Sequence, residues 1–107
     1  MSRTSMLAVF ALILARPAVA LDLPDRCTPA YVAEIMRVAN QLCPLNITMD
    51  GRQFMAFAKK VSDGACAMVA QRMVAQRRKE MSTSWCKSAM LIVNQGGHTF
   101  LIPRGKN

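Results

Sequence analysis

Apolar side chains recur every three or four residues over most of this chain beyond residue 28. This spacing places them on one face of an α-helix and leaves polar residues on the others. Proline and glycine interrupt the pattern and divide it into separate helices. We predict helices at residues 29–42, 50–61, 64–80 and 85–93.

The second and third helices are predicted to be separated by the sequence Ser-Asp-Gly at residues 62–64. A single helix over residues 50–80 would be about 46 Å long at 1.5 Å per residue. A compact domain of this size has a radius of gyration of about 12 Å. A turn between the two helices therefore fits better than one long rod.

The C-terminal part of the chain allows two interpretations. In one, the last helix closes at Gly96 and Gly97. In the other, residues 90–94 and 98–102 form a short β-hairpin around these glycines, because 98–102 are rich in strand-forming residues. Beyond about residue 103 we expect a frayed, basic tail.

The first twenty residues have the pattern of a signal peptide. Arg3 precedes an unbroken apolar run at residues 6–15, and Ala18-Val19-Ala20 gives the small side chains that a signal peptidase requires. An uncleaved membrane anchor is disfavoured, since ten helical residues span only half of the ~30 Å hydrocarbon core. We predict a cleaved leader at 1–20 and one small domain at 21–107.

Four cysteines follow the leader: Cys27, Cys43, Cys66 and Cys86. An even number of cysteines in an exported chain predicts two disulfides, which a domain this small needs because its core is limited. Zinc is disfavoured, because the gaps of 15, 22 and 19 residues contain no closely spaced pair. Up-down-up helices favour the pairs Cys27–Cys66 and Cys43–Cys86, whereas fused second and third helices would favour Cys27–Cys86 and Cys43–Cys66. The predicted fold is a small all-α, disulfide-stapled bundle of three or four helices.

The chain is basic, with a net charge of +8 that falls to +6 when the leader and its two arginines are removed. The most distinctive charged residues are Arg72, Arg77, Arg78, Lys79 and Lys87. A solvated helix end, where cations suit the helix dipole, is the favoured explanation of these residues. The functional interpretation is an anionic partner. That partner would be an acidic protein, a polyanion or an anionic membrane surface. Nucleic acid is not expected, because aromatic side chains that could stack on bases are few.

No catalytic arrangement is recognisable. His98 is the single histidine, and the sequence contains no nucleophile elbow, phosphate-binding loop or HExxH motif. Seven methionines remain after the leader; they favour core filling over copper(I) binding, because they are dispersed along the chain. We therefore predict a protein that is not an enzyme and has no cofactor or metal.

These features together predict an exported binding protein, located in the periplasm if its source is bacterial and otherwise secreted. Its predicted role is to bind an anionic macromolecule through a basic helix face. The alternative is a membrane-active cationic protein that binds anionic lipid through amphipathic helices.

Overall fold

The computed structural model describes residues 23–105, so the predicted leader at 1–20 lies outside the described residues. Short 3₁₀ turns at Asp25–Cys27, Ser82–Ser84 and Gln95–Gly97 connect the main elements. In chain order these elements are α1 (Thr28–Leu42), β1 (Leu45–Ile47), α2 (Met49–Val61), α3 (Gly64–Met81), α4 (Trp85–Val93) and β2 (Leu101–Pro103). All four predicted helices are confirmed, with ends that differ by at most two residues.

The first helix, α1, is the centre of the bundle. Pro29 occupies its first turn, and Pro44 lies two residues beyond its end, as the sequence predicts. Its face carrying Ile35, Met36 and Ala39 is almost completely buried. The helices α2, α3 and α4 each pack against α1, whereas α2 and α3 hardly contact one another.

The predicted break between α2 and α3 is confirmed, and side chains define both helix starts. Thr48 precedes α2, and its Oγ1 accepts a hydrogen bond from the Gly51 N–H at 3.0 Å. Asp63 precedes α3, and its Oδ1 accepts the Cys66 N–H at 2.8 Å. Since Ser62 is extended, the chain can reverse between the two helices. These hydrogen bonds satisfy N–H groups that a helix start leaves without partners.

The helical interpretation of residues 85–93 is confirmed, and the predicted hairpin of residues 90–94 with 98–102 is wrong. The C-terminal segment does form one strand of a short antiparallel pair, as the second interpretation expected. Its partner, however, is β1, with Ile47 opposite Leu101 and Leu45 opposite Pro103. The chain turns after α4 through Gly96, whose φ of 74° favours glycine.

Two disulfides connect the helices, and the favoured pairing is confirmed. Cys27–Cys66 joins the start of α1 to the first turn of α3, and Cys43–Cys86 joins the end of α1 to the start of α4. Cys27, Cys43 and Cys66 are each at most 2% exposed. Bridges of this kind are characteristic of oxidising compartments.

The hydrophobic core lies between α1, α3, α4 and the two strands. α2 packs on it from outside, mainly through the partly buried Phe54 and Met55. The core residues are Ile35, Met36, Val38, Ala39, Cys43, Leu45, Val74, Trp85, Ala89, Val93 and Leu101.

The C-terminal tail is more ordered than the sequence predicts. Pro103 belongs to β2, and the Arg104 N–H donates to the Pro44 carbonyl at 2.8 Å. The Arg104 guanidinium donates to the carbonyls of Asn40 and Leu45 at 2.9 and 3.0 Å. A frayed tail from residue 103 is therefore incorrect, because Arg104 closes the C-terminal end of α1, where carbonyls lack helical partners.

Candidate binding surfaces

The predicted basic residues do not form one continuous face. At 100° per residue, Arg72 and Lys79 lie on the same side of α3, two turns apart and away from the core. Arg78 lies on the side of α3 that faces α2. Arg77 lies on the same side as the buried Ala70 and Val74, but nearer the C-terminal end of the helix. Lys87 belongs to α4, after the Ser82–Ser84 turn. The five cations thus lie on several sides of one region rather than along a single stripe.

The end of α3 projects beyond the packed core. Every residue from 75 to 80 is exposed, although an α-helix of six residues presents side chains in all directions. Arg77, Arg78 and Lys79 are consecutive in this segment, which we call the basic end of α3. Glu80 is its one acid, and its Oε2 accepts from the Gln76 side chain at 3.2 Å.

None of the five predicted basic residues forms an ion pair within the part of the chain that the structure describes. Other exposed cations do: Arg26 pairs with Asp63 at 3.0 Å, and Arg37 pairs with Glu34 one helical turn away. Positive charge is therefore neutralised around α1 but left uncompensated at the basic end of α3.

A second surface is an apolar groove bounded by α1, α2 and α3, which we call the alanine groove. It exists because α2 and α3 both pack on α1 but hardly touch each other. Its volume is about 560 Å³. Small side chains from all three helices contribute to its lining: Ala30, Ala33, Ala58, Ala67 and Ala70.

The polar groups of the alanine groove lie mainly towards the turn between α2 and α3. Lys59 and Ser62 line the groove at neighbouring positions, three residues apart. Within the described residues, Lys59 forms no ion pair, and Ser62 Oγ is buried without a hydrogen-bond partner. Such a hydroxyl is unusual, because buried polar atoms nearly always have a partner.

The two carboxylates that line the groove, Asp63 and Glu34, each form an ion pair with an arginine. The Cys66 N–H holds the pKa of Asp63 below its ordinary value, and the Arg26 guanidinium contributes in the same direction. Glu34 accepts two hydrogen bonds from Arg37, and this interaction raises the pKa of Arg37. The charge that remains unpaired at the groove is the positive charge of Lys59.

The one histidine is part of an aromatic stack. The His98 ring stacks on Phe100 with centroids 4.8 Å apart, and Phe100 stacks on Phe54 at 5.1 Å. Within residues 23–105, no cluster of three or more His, Cys, Asp or Glu side chains is placed to hold a metal ion. The absence of enzymatic activity stays a prediction.

Several large apolar side chains are exposed, as a lipid-binding surface would require. Phe57 and Val61, one turn apart on α2, are 50% and 49% exposed, and Met68 on α3 is 57% exposed. Core filling explains the buried Met36 but not Met68 or Met49, which is 69% exposed. In the part of the chain that the structure describes, no helix has the length and hydropathy of a membrane span.

Sequence reasoning missed the alanine groove. The helical spacing of Ala70 indicates a position on the buried stripe, and Lys59 falls on a polar face of its helix, so neither residue indicates a groove. These residues reach one concave surface because α2 and α3 both pack on α1 and leave a space between them. The unusual number of alanines on three successive helices is the signal that could have suggested close approach or a groove.

Comparison with known proteins found no match to this chain. No protein-family model matches this chain, and neither a curated protein nor a solved structure matches it. The interpretation of function therefore depends on the surfaces described above.

Proposed function

We propose that this is an exported, non-enzymatic protein that binds an anionic macromolecule through the basic end of α3. One observation carries this proposal: three consecutive cations lie on an exposed helix end with a single acid, Glu80, and without an ion pair among the described residues. The charge of Arg72 and Lys87 on neighbouring turns adds to the same region. Acidic proteins and polyanions are the partners that such a surface attracts.

The predicted export is supported by the leader pattern and by the two disulfides. N-terminal sequencing of the protein recovered from the periplasm or culture medium should begin at Leu21. Recovery of the unprocessed chain in the cytosol with four free thiols would refute the export proposal.

The free energy of ion pairs indicates how tightly the basic end of α3 could bind an anionic partner. An exposed ion pair contributes about 0–1 kcal/mol. Three contacts made together would therefore account for up to about 3 kcal/mol, or up to about 150-fold in affinity. Binding of this kind weakens steeply with salt, because the Debye length falls from about 10 Å at 0.1 M to about 3 Å at 1 M.

A charge-matched pair of triple variants tests the site. In the first, Arg77, Arg78 and Lys79 become Gln; in the second, Arg52, Lys59 and Lys60 of α2 become Gln. Both lose three positive charges from exposed positions. Retention on immobilised poly-glutamate should fall much more in the first variant than in the second.

Two results would contradict the proposal. Equal losses in the two variants would mean that net charge alone, and not the basic end of α3, determines binding. Retention that survives about 1 M salt would mean that the interaction is not chiefly electrostatic.

The second candidate function is binding to anionic lipid, which the exposed Phe57, Val61 and Met68 favour. Apolar side chains beside cations insert into the headgroup region of a membrane. This candidate predicts that anionic vesicles sediment with the protein, and that Phe57→Ser weakens the interaction even at high salt. If vesicles do not retain the protein at low salt, the acidic-macromolecule proposal is favoured.

A further inference from the structure

We infer that the alanine groove is a binding site for a small anionic amphiphile, a molecule with an apolar chain and a carboxylate at one end. This inference does not depend on the basic end of α3. It rests on the dimensions of the groove, on its small apolar side chains and on the two polar groups without partners at one end.

The dimensions favour a small molecule. Ligand sites in proteins commonly have volumes of about 300–1,000 Å³, and the groove has about 560 Å³. A stable protein–protein interface buries more than about 1,000 Å² of surface, which this short groove does not supply. Alanines at Ala33 and Ala67 provide an apolar lining while leaving the space open.

The polar end favours an anion. Glu34 is paired with Arg37, and Asp63 is paired with Arg26, so neither carboxylate is available to attract a cation. Lys59 is the charge left without an ion pair among the described residues that line the groove.

The Ser62 hydroxyl supplies a second point of recognition. Its oxygen is buried, and within residues 23–105 it has no hydrogen-bond partner. The Lys59 ammonium would neutralise a carboxylate at this end of the groove, and a carboxylate oxygen would accept the Ser62 O–H once that side chain, now closed to solvent, turns towards the groove. These two residues lie three apart along the chain, so one carboxylate could contact both.

The ligand class is tested by calorimetric titration with three probes that have the same twelve-carbon chain. Laurate and dodecyltrimethylammonium are used below their micelle concentrations, and dodecanol is used below its solubility limit. Laurate should bind, dodecanol should bind more weakly, and the cation should bind least. Equal binding of the cation and laurate would overturn the inference, as would no detectable binding of laurate.

Two variants locate the site. Ala67→Phe fills the groove and should weaken laurate binding at least about tenfold. Ala75→Phe makes the same change on an exposed part of α3 outside the groove and should leave binding unchanged. Equal affinities of these two variants would show that laurate binds elsewhere.

The polar end is tested separately. Lys59→Met should weaken binding of laurate by about fivefold or more and leave dodecanol unchanged, whereas Lys60→Met should affect neither. Replacement of Arg77, Arg78 and Lys79 by Gln should also leave laurate binding unchanged, which separates this inference from the proposed function. The groove site would be contradicted if the triple variant no longer bound laurate more tightly than dodecanol while Lys59→Met bound laurate as the wild type does.

Discussion

Gly51 offers the sharpest structural test, because α2 approaches the C-terminal segment most closely at this residue. A Cβ atom added there would lie 2.6 Å from the Phe100 carbonyl oxygen, 2.8 Å from Ile47 Cγ2 and 2.9 Å from Met36 Cε. Carbon atoms in proteins do not approach other heavy atoms so closely, so Gly51→Ala requires the surrounding structure to move.

The neighbours of Gly51 cannot move freely. The Phe100 carbonyl accepts the Thr48 N–H at 3.0 Å, and the Phe100 N–H donates to Asn94 Oδ1 at 2.9 Å. Met36 has no exposed surface. Overpacking of this kind costs about 1–3 kcal/mol, while alanine in a helix gains about 0.5–1 kcal/mol over glycine. We expect Gly51→Ala to destabilise the protein by about 1–2 kcal/mol.

Gly64 provides the matched control. It begins α3, and an added Cβ would have no neighbour within 4 Å. Gly64→Ala therefore gains the helix preference of alanine without a steric cost, and its stability should be unchanged or up to about 1 kcal/mol higher.

Urea unfolding of the oxidised protein, followed by helical circular dichroism, compares the two variants directly. The midpoint should fall for Gly51→Ala and stay level or rise for Gly64→Ala. For a domain of this size, 1 kcal/mol corresponds to about 4–8 °C in Tm. Equal midpoints, or a more stable Gly51→Ala, would refute the packing of α2 against the C-terminal segment.

Three further changes test the polar contacts that organise the fold. Asn94→Ala removes three side-chain hydrogen bonds to the backbone of residues 100–101, and urea titration should show a loss of about 2–4 kcal/mol; a loss below 0.5 kcal/mol would contradict this role. Arg104→Ala should make the end of α1 exchange its amide hydrogens faster, while protection unchanged from the wild type would show that Arg104 does not close the helix. Because the pKa of Asp63 is lowered in the folded state, its carboxylate stabilises the protein above the unfolded pKa of about 3.9 and loses this effect as pH falls through the folded value. Asp63→Asn should therefore lower Tm at pH 7, and the difference should shrink as the pH falls below the unfolded pKa; a pH-independent difference would be inconsistent with this origin.

Local patterns predict the helices of this protein well. Pro44 and the Ser-Asp-Gly sequence at 62–64 stop helices through backbone restrictions that act within a few residues. The disulfide pairing followed from the order of the helices, because a bridge requires Cα atoms within about 7 Å. The observed Cα distances are 5.0 Å for Cys27–Cys66 and 5.8 Å for Cys43–Cys86.

Contacts between distant parts of the chain were not predictable in this way. The strands β1 and β2 have three residues each, which is too short for a period-two pattern to be recognised. The Arg104 side chain donates to the Leu45 carbonyl, 59 residues away in the sequence, whereas Asn94 binds the nearer Leu101 carbonyl. The same limit applies to the alanine groove, since the space between α2 and α3 is set by tertiary packing.

The central claim is that two disulfides replace the stability that a small core cannot provide. The bridges join residues 39 and 43 positions apart, and in the chain-entropy model each such closure contributes about 4 kcal/mol. Small domains have a total stability of about 5–15 kcal/mol, so the two bridges account for a large part of it.

The most direct test is the thermal unfolding of the protein with and without a strong reductant, with the four thiols counted by alkylation in each sample. We predict cooperative unfolding of the oxidised protein. For the fully reduced protein we predict a loss of cooperative unfolding or a fall in Tm of at least about 15 °C, because two bridges that contribute at least about 2 kcal/mol each correspond to about 16 °C or more at 4–8 °C per kcal/mol. An unchanged Tm in a sample with four alkylated thiols would contradict the central claim.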